Sequence, residues 1–133
     1  MRGISGAGKS TYIRRNFPAA LVCSADHYFI NGKGEYKFDR QKLSKAHGAC
    51  REKFEAALAS GAGHIVVDNT NTTVSEMKGY IQAAEKKGYQ IQIFRLQVDP
   101  VVAAARNQHG VPPESIQAMQ TRFQDYPGEV VVQ

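Results

Sequence analysis

The sequence has no tryptophan and only two cysteines and five prolines in 133 residues, and each shortage removes a class of explanation. Cys23 and Cys50 lack metal-ligand spacing, and they fall in an apolar strand-like run and on a helix face. They read as reduced core thiols rather than a disulfide, which points to a cytosolic compartment. No apolar run approaches the roughly 20 residues that a membrane-crossing helix needs, and no signal peptide pattern opens the chain. Acidic residues are the scarcer charge, 12 against 17 lysines and arginines, for a formal net charge of +5. That balance suits a polyanionic partner. It suits equally a solvated surface carrying Lys33, Lys37, Lys42, Lys45, Lys86 and Lys87. There are no internal repeats, low-complexity tracts or linkers, so residues 1–133 read as one domain with no room for a second catalytic module.

What is present is concentrated at the start. Gly3-Ile4-Ser5-Gly6-Ala7-Gly8-Lys9-Ser10 fits the G-x-x-x-x-G-K-[ST] phosphate-binding pattern at every fixed position. Glycines let several backbone N–H groups converge on a phosphate, Lys9 is placed for the β- and γ-phosphates, and the Ser10 hydroxyl can ligate Mg²⁺. Gly3, Ser5, Gly6, Ala7, Gly8, Lys9, Ser10 and Thr11 are therefore the candidate contacts for ATP, with the positive end of a following helix aimed at the same spot. A P-loop normally follows a buried strand, yet Met1 and Arg2 alone precede Gly3. The expectation is a truncated central strand, with further residues upstream in the natural protein.

Downstream, strand and helix patterns alternate. Residues 9–16 read as a helix, 20–24 as a strand, 39–60 as a helix capped by Asp39, and 64–68 as a β-branched strand. Thr73 and Glu76 form a capping box for a helix ending at Gly88, and 89–98 reads as a strand. Helices over 99–107 and 114–124 are separated by His109-Gly110-Val111-Pro112-Pro113, and 129–132 closes as a strand. This pattern predicts an α/β three-layer sandwich, a parallel sheet with helices on both faces; the P-loop NTPase fold that the chain resembles implies five strands in the order 2-3-1-4-5 and a helical lid over about 99–124.

Asp68 ends its strand at the carboxyl edge, where open α/β sheets gather ligands. It reads as the Mg²⁺-side carboxylate of a nucleotide site, acting directly or through water, or as a plain helix cap. Asp26, at the end of the second strand, reads as a general base for an acceptor hydroxyl, or as a turn residue. Arg106 precedes the glycine-proline break and reads as a cation that closes over the γ-phosphate, or as surface. His109 reads as a phosphate contact or as structural. Arg122 reads as a second phosphate contact or a solvated side chain.

Taken in order, the P-loop, Ser24-Ala25-Asp26-His27-Tyr28-Phe29, Asp68-Asn69-Thr70-Asn71, and Asp99-Pro100 through Arg106-Asn107-Gln108-His109-Gly110-Val111-Pro112 resemble the polynucleotide kinase branch of P-loop kinases. That branch includes phage enzymes and the kinase-like modules of animal ubiquitin-ligase-binding proteins. The resemblance implies transfer of the γ-phosphate of ATP to the 5′-hydroxyl end of a nucleic acid, DNA or RNA. It implies Lys9, Asp26 and Arg106 as catalytic residues, Ser10 and Asp68 at Mg²⁺, and Arg106 and His109 as lid contacts to the nucleotide. It departs at Phe29, where an acceptor-gripping arginine is expected, and at His109, where a second lid arginine is expected. Two other readings stand beside it: a P-loop kinase of a sugar or small metabolite, and an ATP-dependent binding module that transfers nothing.

Overall fold

The computed structural model describes all residues, Met1 to Gln133. Helix α1 (Lys9–Asn16) leads into strand β1 (Leu21–Cys23). After a 3-10 turn at Ala25–Phe29 and a second at Arg40–Lys42, helix α2 runs from Leu43 to Ala59. Strand β2 (Ile65–Val67), helix α3 (Val74–Lys86) and strand β3 (Phe94–Leu96) follow. Helices α4 (Pro100–Arg106) and α5 (Pro113–Arg122) and strand β4 (Val130–Val132) complete the chain.

The caps show why elements begin where they do. Asp39 caps the 3-10 turn rather than α2 itself, its Oδ1 accepting from the Gln41 amide at 3.0 Å. Asp99 accepts from the Val101 amide at 2.8 Å with Pro100 in the first turn of α4, where a missing N–H costs nothing. At α3 the Thr73 hydroxyl caps the Glu76 amide as the capping box requires. The Glu76 carboxylate, however, reaches past Thr73 to the Thr72 amide and hydroxyl. The strand expected over 89–98 is paired only across Phe94–Leu96.

The strands form two parallel pairs, β1 with β2 in register Leu21 to Ile65, and β3 with β4 in register Phe94 to Val130. The expected continuous five-stranded sheet ordered 2-3-1-4-5 is not formed. Residues 1–3 lie between the pairs, where Gly3 already turns into the phosphate-binding loop and Arg2 alone forms a bridge. The Met1 ammonium donates to Val67 O at 2.9 Å, Gly3 N to Thr70 O at 3.1 Å, and Arg2 exchanges backbone bonds with Phe94 and Leu96, a single bridge in place of a strand.

Each pair carries its own core. Cys23, Phe29, Ala46, Cys50, Phe54, Leu58 and Ala84 bury together under α2 and α3; the stripe on α2 follows its three- and four-residue spacing from Ala46 onward, while Leu43, expected at its start, is exposed. Burial pushes the Cys23 thiol up to about 11, as befits an inert core cysteine. Ile4, Ala7, Leu96, Ala103 and Ile116 form the second core. No helix is long and apolar enough to cross a membrane.

Candidate functional site

A cleft of about 1410 Å³ runs along the carboxyl ends of the strands, and the phosphate-binding turn, Asp26, Asp68, Arg106 and His109 all line it. The turn owes its shape to glycine at two positions. Gly6 and Gly8 have φ of 84° and 96°, a region that other residues enter only with strain. At Gly6 a side chain would also run into the Ala103 carbonyl of α4. The amides of Ser5, Gly6, Gly8, Lys9, Ser10 and Thr11 have no protein acceptor. Gly8, the residue before α1, contributes no side-chain cap, and the first turn of α1 holds no acidic residue. The chain thus presents a group of open donors at a helix start, which is what binds phosphate.

Lys9 extends over the turn and donates to Gly3 O at 2.9 Å and Ile4 O at 3.1 Å. Burial holds its ammonium below the ordinary lysine value, against the opposing pull of Asp68 and Asp26. An anion in the turn would reverse that penalty. Ser10 Oγ donates to Asp68 Oδ2 at 2.8 Å, and Asp68 is buried. These two oxygens fit Mg²⁺, which keeps waters and phosphate oxygens and takes few protein ligands. No cluster of three or more His, Cys, Asp or Glu side chains offers a cage for a metal held by protein alone. Thr11 is exposed, with its hydroxyl accepting from Arg14 at 3.3 Å, and the Ser5 hydroxyl faces Met119 Sδ at 3.5 Å.

Asp26 stands on the opposite wall. The Ser24 hydroxyl accepts from its amide at 3.2 Å, and Asn69 Oδ1 accepts from the Ala25 amide at 2.9 Å, so both strand ends fix the start of its 3-10 turn. Its carboxylate is half exposed, with His109 Nδ1 at 3.5 Å from Oδ2 and the Tyr36 hydroxyl at 3.4 Å from Oδ1. The structure therefore places His109 against Asp26 rather than over the phosphate turn. Arg106 is exposed at the end of α4 and donates to no protein group. Arg122 lines the same cleft and donates from Nε to the Thr72 hydroxyl at 3.1 Å. Phe29 is buried among Tyr28, Tyr36 and Phe38 and takes no place in the cleft.

Two residues were not singled out in the sequence. Tyr36 sits in a stretch of loop composition, and only its pairing with Ile30 brings it back to Asp26. Arg2 is fully buried, paired with Glu129 at 2.7 Å, and donates to the Asn71, Thr72 and Gln124 carbonyls. It lies over the Phe123 ring at 4.6 Å. Nothing local marks an arginine before a glycine as the tie between three distant segments.

Comparison with known proteins agrees with this geometry. A family model described as an AAA domain matches residues 1–125. Human NEDD4-binding protein 2 is 34% identical over 135 residues, covering 95% of this chain and 8% of its own. Human YLP motif-containing protein 1 is 25% identical over 154 residues, covering 96% and 7% respectively. The chain thus spans less than a tenth of these curated relatives. A gluconokinase from Sinorhizobium meliloti 1021 superposes with a TM-score of 0.60 at 17% identity, covering 98% of this chain and 78% of that one, a likeness of fold. The turn with its open amides, the Ser10–Asp68 pair and the family match together identify this chain as a member of the AAA domain family with a P-loop kinase-like α/β fold.

Proposed function

We propose that the chain is an ATP-dependent kinase that transfers the γ-phosphate to the 5′-hydroxyl of a polynucleotide. The observation that carries this reading is the bond from Ser10 to Asp68 beside the half-buried Lys9, with Asp26 across the same cleft. On this reading the open amides of the turn and Lys9 hold the triphosphate, and Ser10 and Asp68 hold Mg²⁺. Bound there, the ion supplies positive charge that offsets the charge on the phosphate. The acceptor oxygen attacks the γ-phosphorus, the bond to the β-phosphate oxygen breaks, and the hydroxyl proton passes to Asp26. Arg106, with no protein partner, is free to meet the transferring group. The breadth of the cleft and its margin of Arg14, Arg15, Arg51, Arg106 and Arg122 support a polyanionic acceptor.

A second reading, a kinase of a sugar or small metabolite, is favoured by the burial of Phe29, which leaves no cation at that place to grip an acceptor phosphate. A third, nucleotide-dependent binding without transfer, keeps Lys9 and dispenses with Asp26. ATP labelled at the γ-phosphate, offered with 5′-hydroxyl DNA and RNA oligonucleotides and a panel of sugars and sugar acids, separates them. Label on an oligonucleotide supports the first reading, and label only on a metabolite replaces it with the second. Asp26→Asn is expected to abolish transfer while ATP binding persists; turnover at the parent rate would remove Asp26 from the reaction.

A further inference from the structure

Tyr36 belongs to no motif, yet it touches both the proposed base and the tip between α4 and α5. Its ring stacks on His109, centroids 4.1 Å apart and planes 13° from parallel, while its hydroxyl lies 3.4 Å from Asp26 Oδ1. His109 Nδ1 faces the other carboxylate oxygen at 3.5 Å. Tyr36, His109 and Asp26 thus close a triangle in which each touches the other two. Both supports of the triangle are built.

On one side Tyr36 pairs with Ile30, its ring lies edge-on to Phe29 at 6.1 Å, and the Asn31 side chain accepts from the Lys33 and Glu35 amides to shape the turn between them. On the other, Asn107 Oδ1 accepts from the His109 amide at 3.0 Å, and Asn107 Nδ2 donates to Val111 O at 2.6 Å. Burial and the neighbouring Asp26 push the Tyr36 hydroxyl up to about 12. It therefore stays a hydrogen-bond donor at neutral pH.

We propose that Tyr36 is a positioning residue that seats the tip of residues 107–111 through His109 and orients the Asp26 carboxylate through its hydroxyl, so that closure of the tip and alignment of the base are one event. The proposal rests on the kinase reading for its catalytic consequence, and on the stack alone for its structural one. The ring and the hydroxyl do separable work. Tyr36→Phe keeps the platform and removes the bond to Asp26. Tyr36→Leu removes both.

The test uses the whole chain and two measurements. In proton NMR the His109 ring signal, assigned by its loss in His109→Gln, is expected to be shifted upfield because the ring lies over a tyrosine face. Tyr36→Leu is expected to return it to the position of an exposed histidine, and Tyr36→Phe to leave it in place. In the transfer assay Tyr36→Phe is expected to lower kcat about tenfold with the KM for ATP unchanged, the loss of one hydrogen bond to a charged group. Tyr36→Leu is expected also to raise the KM for the acceptor.

A His109 signal that ignores Tyr36→Leu overturns the seating of the tip, whatever the activity. Parent kcat in Tyr36→Phe overturns the alignment of the base. Should the parent transfer phosphate to no acceptor, the kinase reading fails, and the NMR result still decides whether Tyr36 seats the tip.

Discussion

Lys9 is held in a position that disfavours its own charge: burial lowers its pKa, and the opposing pull of Asp68 and Asp26 does not cancel that effect. A lysine shifted this way costs stability at every pH below its folded pKa, and the cost fades as pH climbs from there into the ordinary lysine range. At neutral pH the cost is in force. Without nucleotide, Lys9→Met is therefore expected to melt no lower than the parent. ATP with Mg²⁺ is expected to raise the melting temperature of the parent and leave the variant unmoved, as thermal scans will report. An equal rise in both would mean that Lys9 does not touch phosphate. Gly6 makes a second case at this scale. Its positive φ and its contact with the Ala103 carbonyl leave no room for a methyl group, so Gly6→Ala is expected to cost about 3 kcal/mol in denaturant titration.

Among the elements, α4 and α5 are anchored from below. Ala103 and Ile116 are fully buried against Ile4, Ala7 and Leu96, so the pair is part of the core beneath the phosphate turn. The connection between them is exposed at 108–110 and again, into the first turn of α5, at 112–115. Ile116→Ala is expected to cost about 3 kcal/mol through the cavity it leaves, measured by denaturant unfolding, and to weaken ATP binding with it; retained affinity at reduced stability would separate the helices from the nucleotide site.

The helices and the approximate strand positions were legible because each rests on local spacing, while the bond between Ser10 and Asp68 joins two motifs that the sequence only names separately. The extent of the sheet was not legible. Ladders depend on partners distant in the chain, and residues 1–3 pair through isolated contacts, one bridge at Arg2 among them. The Tyr36 contact was hidden for the same reason, since a loop tyrosine gives no sign of what the fold brings to its face.

Across the whole molecule the net charge of +5 acquires a direction, because Arg14, Arg15, Arg51, Arg106 and Arg122 share one cleft. If about three phosphates of a single strand lie along it, affinity for a 5′-hydroxyl oligonucleotide is expected to fall roughly twentyfold between 50 and 200 mM salt. Titrations by fluorescence anisotropy check this, and an affinity flat with salt would count against a polyanionic acceptor.

The contact of Gly6 with α4 has a mechanical consequence at this same scale. Because the turn packs directly on the backbone of α4 at Ala103, swinging α4 aside to widen the mouth of the cleft would break that contact. The shorter lever is the five-residue strap from Asn107 to Val111, held to itself by the two Asn107 side-chain bonds and to the far wall by His109 alone.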